Sequence, residues 1–212
     1  MHSRSRAVRS VSLPVLALAA LALALSATGP VRAGESVNAA FLGKEAPAFT
    51  LPDAGGTMHS LADTRGSKAT VIIWVSTECP VSNAYNGRMA ALAKEYQTKG
   101  FAFIGVNSNK AETPQAIAAH AKEHDLTFPI LKDSDNVVAD KYGASVTPEV
   151  YIVDTKGVLQ YHGRIDDNMK EEGVTTRDLK TALDAMLAGQ GIAKGESKAF
   201  GCSIKRVEKA GA

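Results

Sequence analysis

Thr70-Val71-Ile72-Ile73-Trp74-Val75 runs directly into Ser76-Thr77-Glu78-Cys79-Pro80-Val81. The first half is a continuous apolar and largely β-branched run, the pattern of a strand covered on both faces. The second half puts Cys79, one of only two cysteines in the chain, directly before a proline suited to the first turn of a helix. A sulfur at such a strand-to-helix junction faces backbone N–H groups without intrahelical partners, and the positive helix end favours its thiolate. The stretch points to sulfur chemistry; the plain alternative is a small buried hydrophobe, as most free cysteines are.

Working outward, Pro80 to Thr98 reads as a helix with Val81, Tyr85, Leu92 and Tyr96 near one face, stopped by Gly100. Phe101 to Val106 repeats the buried-strand pattern, and Thr113-Pro114 opens a second helix as N-cap and first-turn proline. Two such strands joined through a helix imply a parallel crossover. Phe128 to Leu131 is a short strand and Asn136 to Tyr142 a short helix; Glu149 to Val153 is a strand that turns at Asp154-Thr155-Lys156-Gly157 into a hairpin partner, Val158 to His162. Thr175 or Thr176 caps a last helix from Arg177 to Ala188, stopped by Gly189. Before all this, Phe41 to Asp63 is a Gly-, Pro- and Asp-rich entry with an edge hairpin. The pattern is an α/β sandwich.

With 212 residues, 45% of them hydrophobic, the chain suits one well-buried domain with a leader and a tail. Arg4, Arg6 and Arg9 precede an Ala/Leu-rich stretch from Val15 to Leu25, and Val31-Arg32-Ala33 offers a small-residue cleavage site. Residues 1–33 therefore read as a secretory signal peptide, too short in its apolar part for the roughly twenty residues a bilayer span needs. No stable membrane anchor is expected, and the periplasm or another extracytoplasmic space is the implied location, where a cysteine pair can act as a redox element. The formal charge of +2 comes partly from the leader, and no basic run interleaved with aromatics suggests nucleic acid. Gln190 to Ala212, rich in Gly, Lys, Ala and Ser, reads as a tail whose one chemical feature is Cys202.

Three segments carry a family resemblance: Gly43-Lys44-Glu45-Ala46-Pro47-Ala48-Phe49-Thr50-Leu51-Pro52-Asp53, then Ser60-Leu61-Ala62-Asp63, then the strand ending at Cys79. Over roughly residues 41–189 the chain resembles the redoxin group of thioredoxin-fold proteins, which includes the alkyl hydroperoxide reductase/thiol-specific antioxidant family. The resemblance implies a thioredoxin-like fold, with a central mixed β-sheet flanked by helices, and a thiol-dependent oxidoreductase. No cofactor and no metal is expected. Its partners would be a thiol/disulfide or hydroperoxide substrate and an external thiol electron donor. Tyr142 to Asp154 is similar to the segment where thioredoxin folds set a cis-proline opposite the reactive cysteine. The residues alone leave cis and trans open at Thr147-Pro148, and the resemblance implies cis. In the family this turn leaves backbone groups that pair with an extended substrate.

The departures matter as much. Ser82 stands where thioredoxin-like reductases carry a second cysteine, which excludes a Cys-x-x-Cys exchange. Ser76 occupies the position of the peroxidase hydroxyl, but Ile72 stands where the peroxidase proline belongs, and Thr147-Pro148 where its arginine would be. Cys202, in Phe200-Gly201-Cys202-Ser203-Ile204-Lys205, is then the candidate resolving thiol for Cys79; a static disulfide or an idle thiol are the alternatives. Resolution needs the two Cα atoms within about 7 Å, and the glycines 189, 191, 195 and 201 would allow the approach. Thr147, Pro148, Ser76 and Asn83 are the candidate substrate-binding residues, with Asn83 a neutral hydrogen-bond donor near the sulfur and Glu78 an opposing charge if it points inward. His120 and His124 lie four apart on a helix, but nothing is spaced to complete a metal site with them. His162, Arg164, Asp166 and Asp167 border the site or form a turn. The rival from another class is a non-catalytic thioredoxin fold that binds an exported peptide or protein.

Overall fold

The structure, a computed structural model, describes residues 42–208; the signal peptide read at residues 1–33 lies outside them. Five strands form the central sheet: β3 (Ala69–Trp74), β4 (Phe101–Asn107), β5 (Ile130–Lys132), β7 (Glu149–Asp154) and β8 (Leu159–Gly163), in the order β5-β4-β3-β7-β8. β3 runs parallel to β4 and β4 to β5, whereas β7 is antiparallel to both β3 and β8. The sheet is therefore mixed, and the β3-to-β4 connection is the expected parallel crossover.

Alternation along β3 explains the two cores. Val71 and Ile73 face one side, with Phe103, Val150 and Ile152 beside them, under helices α2 (Asn86–Gln97), α3 (Pro114–Glu123) and α5 (Asp178–Leu187). Ile72 and Trp74 face the other, with Ile104, Val106, Tyr151 and Val153, under α4 (Val137–Tyr142) and the entry segment through Phe49 and Leu61. All six β3 residues are buried, which is why the run shows no polar alternation. The entry hairpin, β1 (Thr50–Pro52) with β2 (Met58–Ser60), forms its own two-stranded sheet and bridges the β5 edge through Asp53 and Leu131.

Three expectations shift. The helix read from Pro80 to Thr98 is two, α1 (Pro80–Ala84) and α2, broken at Tyr85. The Tyr85 hydroxyl donates to Asp166 and the Arg88 guanidinium lies 3.8 Å over its ring, so tertiary contacts fix the break. Neither Thr175 nor Thr176 caps α5: Arg177 is at the N-cap without a side-chain bond, and both threonine N–H groups donate to the Asp167 carboxylate. Residues 190–208, within the segment read as a tail, are built into the fold. Ser197 N–H donates to His162 O, Phe200 packs on the first core, Ile204 is buried in the second, and β9 (Cys202–Ser203) pairs antiparallel with β6 (Val146–Thr147).

Candidate active site

Cys79 is the N-cap of α1, with extended backbone and Pro80 following, and its Sγ accepts the Ser82 N–H at 3.3 Å. With only five residues, α1 has a small macrodipole, so this one N–H is the main local support for a thiolate. Opposite, the Thr147-Pro148 bond is cis, as the resemblance implied. Cys79 Sγ lies 3.3 Å from Thr147 O. In the structure it is bonded to Cys202, with the Cα atoms 5.8 Å apart and a sequence separation of 123. Register sets this pairing: Cys202 sits directly across from Thr147 in the β6–β9 ladder. Gly201 is required beside it, since a Cβ there would lie 1.9 Å from Thr147 O. Cys79 is 4% exposed, while Cys202 is only partly covered.

The other predicted residues play supporting parts. The Ser76 hydroxyl donates to Glu112 Oε1 at 2.5 Å and accepts the Cys79 N–H at 3.0 Å. It braces the turn under the sulfur. Asn83 donates its amide to Thr77 O at 3.0 Å, and Glu78 is exposed, so neither meets Sγ. His120 shares a hydrogen bond with the Asn86 amide and lies tilted against His124, and among the described residues no group of three or more His, Cys, Asp or Glu could hold a metal. Arg164 pairs with Asp178, and Asp166 with Arg88.

Two buried carboxylates escaped the sequence reading. Glu112, 3% exposed, accepts from Ser76 Oγ, the Thr77 N–H and hydroxyl, and Asn107 Nδ2. Burial pushes its pKa up, but these bonds prevail and hold it below the usual carboxylate range. Its position before Pro114 carries no sign that it turns inward. Glu149, directly after the cis-proline, shares a 2.7 Å hydrogen bond with His162 Nε2 and accepts the Ser145 and Val146 N–H groups, fixing the loop that leads into β6. Here too burial raises the pKa and the hydrogen bonds, His162 first, bring it below the ordinary value. A charged residue opening an otherwise apolar strand was the available signal.

The AhpC/TSA family model matches residues 42–162. The chain belongs to this family. It is 39% identical over 119 residues to thioredoxin-like protein YneN of Bacillus subtilis (strain 168), covering 56% of this chain and 68% of that one. It is 31% identical over 128 residues to putative peroxiredoxin MT2597 of Mycobacterium tuberculosis (strain CDC 1551 / Oshkosh), covering 60% and 80%. The crystal structure of hypothetical protein SMc02350 from Sinorhizobium meliloti 1021 superposes with a TM-score of 0.74 at 36% identity, over 79% of this chain and 96% of that one. This AhpC/TSA protein is a thiol-dependent oxidoreductase with a thioredoxin-like fold. The AhpC/TSA match contains Cys79, Ser76, Thr147 and Pro148 and stops short of Cys202.

Proposed function

We propose that Cys79 and Cys202 are the redox couple of an exported thiol-disulfide oxidoreductase. The Cys79 thiolate attacks one sulfur of a substrate disulfide; that S–S bond breaks, and the departing substrate thiolate takes up a proton. Cys202, deprotonated, then attacks the Cys79 sulfur of the mixed disulfide, releasing the second substrate thiolate and closing Cys79–Cys202. Two electrons have passed to the substrate, and an external thiol donor returns them. Thr147 and Pro148 shape the cleft. The observation that carries this reading is the Cys79–Cys202 bond across the cis-proline turn, which supplies the second thiol that Ser82 does not.

Peroxide reduction is the second reading, favoured by the likeness to a putative peroxiredoxin. Against it, the Ser76 hydroxyl is engaged by Glu112 and the Cys79 N–H and is not available to a peroxide. Stoichiometric titration followed by mass spectrometry separates the two. Turnover of a disulfide substrate with inertness to peroxide supports exchange; rapid Cys79 sulfenate, closing to Cys79–Cys202, overturns it. A non-catalytic binding role predicts an ordinary thiol titration near 8.5 when Cys79 is alkylated across pH in a Cys202→Ser background. Export rests on the leader read at residues 1–33; no described helix is long and apolar enough to cross a membrane. Recovery of a chain shortened near Ala33 from the extracytoplasmic fraction tests it.

A further inference from the structure

A buried polar network beneath the C-terminal ends of β3, β4 and β5 touches neither sulfur but reaches both cysteine-bearing segments. On the Cys79 side, Ser76 and Thr77 donate to Glu112, whose Oε2 accepts Asn107 Nδ2 at 2.7 Å. Asn107 Oδ1 accepts Lys132 Nζ at 3.2 Å and the Asn109 N–H at 3.3 Å, and Lys132 Nζ also donates to Asn109 O at 2.6 Å. On the Cys202 side, Asn109 Oδ1 accepts the Lys205 N–H at 2.7 Å, and the Lys110 N–H donates to Lys205 O at 2.8 Å. Asn107, Asn109, Glu112 and Lys132 are at most 7% exposed. Further anchors flank Cys202: Ile204 N–H to Ser145 O and Val207 N–H to Asn136 Oδ1 after it, Ser197 N–H to His162 O before it. None of these bonds needs the disulfide.

We infer that Asn109 is a positioning residue that holds the Cys202 strand against β6 in the reduced protein. The two thiols then react as a preorganised pair although they lie far apart in sequence. The inference rests on the proposed Cys79–Cys202 couple and adds that no tail swings. A thiol on a flexible tether meets its partner at an effective concentration of about 1 mM, whereas a thiol held in register exceeds that by orders of magnitude. In the dithiol state a rotation about the Cα–Cβ bond of Cys202, rather than departure of its strand, uncovers Cys79.

Glutathione provides the test. Oxidised glutathione takes two electrons and two protons from the protein dithiol, giving Cys79–Cys202 and two reduced glutathiones, and the equilibrium constant measures the effective concentration of the pair. The wild type is expected at about 1 M or above. Asn109→Ala, which leaves the Lys205 N–H without an acceptor, is expected to lower it about tenfold or more, and Asn109→Asp, which keeps an acceptor, to restore it. Destabilisation shared by both redox forms does not move this constant. Cys79 alkylation in a Cys202→Ser background is expected to be unchanged by Asn109→Ala. Hydrogen exchange on the wild type needs no substitution: the amides of Ile204, Lys205 and Val207 should stay protected after reduction. Loss of their protection on reduction, a wild-type effective concentration near 1 mM, or an Asn109→Ala constant within twofold of wild type overturns the inference. Turnover persisting in Cys79→Ser or Cys202→Ser would instead overturn the function it rests on.

Discussion

Replacing Glu112 separates the work of a charge from the work of a shape. Its two oxygens accept from the Ser76 hydroxyl at 2.5 Å, the Thr77 N–H at 2.6 Å, the Thr77 hydroxyl at 2.8 Å and the Asn107 amide at 2.7 Å. Each buried donor left without an acceptor costs about 1–3 kcal/mol. Thr77 is partly open to water, so Glu112→Ala should cost about 3–5 kcal/mol, carried mainly by Ser76 and Asn107. Glu112→Gln keeps one acceptor and turns an N–H₂ toward the remaining donors, for a loss of about 1–3 kcal/mol. Because the folded-state pKa is depressed, the carboxylate's contribution is fully present above the unfolded value of about 4.3 and is lost as pH falls through the folded value. Gln does not titrate, so the stability gap between wild type and Glu112→Gln should narrow on acidification below about pH 4.3. Urea unfolding of the oxidised proteins at pH 7 and at several points below pH 5 measures both quantities. A Glu112→Ala cost under about 1 kcal/mol, or a Gln gap that stays constant through the acid range, would refute the argument.

Cys202→Ser should trap a mixed disulfide on Cys79 when given a disulfide substrate, seen by intact mass, with multiple turnover lost. Release of both substrate thiols at the wild-type rate would remove Cys202 from the mechanism. Gly201→Ala puts a Cβ 1.9 Å from Thr147 O and should destabilise the oxidised protein by about 2–3 kcal/mol while making the disulfide easier to reduce; unchanged unfolding and glutathione equilibria would count against the close approach. Glu149→Leu strips an acceptor from the Ser145 and Val146 N–H groups and a partner from His162, and a loss of about 3–5 kcal/mol in urea is expected. A change under about 1 kcal/mol would mean that the loop before β6 is held by other contacts.

The sheet was legible because its central strands are buried on both faces and so appear as uninterrupted apolar runs, punctuated by Gly100 and Thr113-Pro114. Thr113 does cap α3, accepting the Ala116 N–H. What escaped was decided at long range. The break at Tyr85 depends on Asp166, 81 positions away, and no local signal separates a bent helix from a straight one there. Residues beyond Gly189 looked like a loose tail because Phe200 and Ile204 stand alone among Gly, Lys and Ser, with no periodicity to announce them. Each nonetheless packs on a different core. At the site, the cis-proline was readable through a family pattern, and the two cysteines it lies beside were singled out as the chain's only pair. What a sequence does not reveal is which groups will claim a given hydroxyl or amide: Ser76 bonds Glu112 and the Cys79 N–H, and Asn83 bonds Thr77 O.

The span between the two cysteines has a consequence for the lifetime of the molecule. A disulfide closing a loop of four residues removes about 2 kcal/mol of unfolded-chain entropy, whereas one that encloses 123 positions removes about 5 kcal/mol. Every strand from β4 to β8 and all five α-helices of the described residues lie inside that loop. Under the proposed couple, donating electrons leaves the chain harder to unfold, and accepting them leaves it easier, by a factor of about a thousand or more in the opened population. A protease that cuts only opened chains would clear the electron-loaded form first, so the cell's supply of oxidising substrate would govern how much of this protein survives.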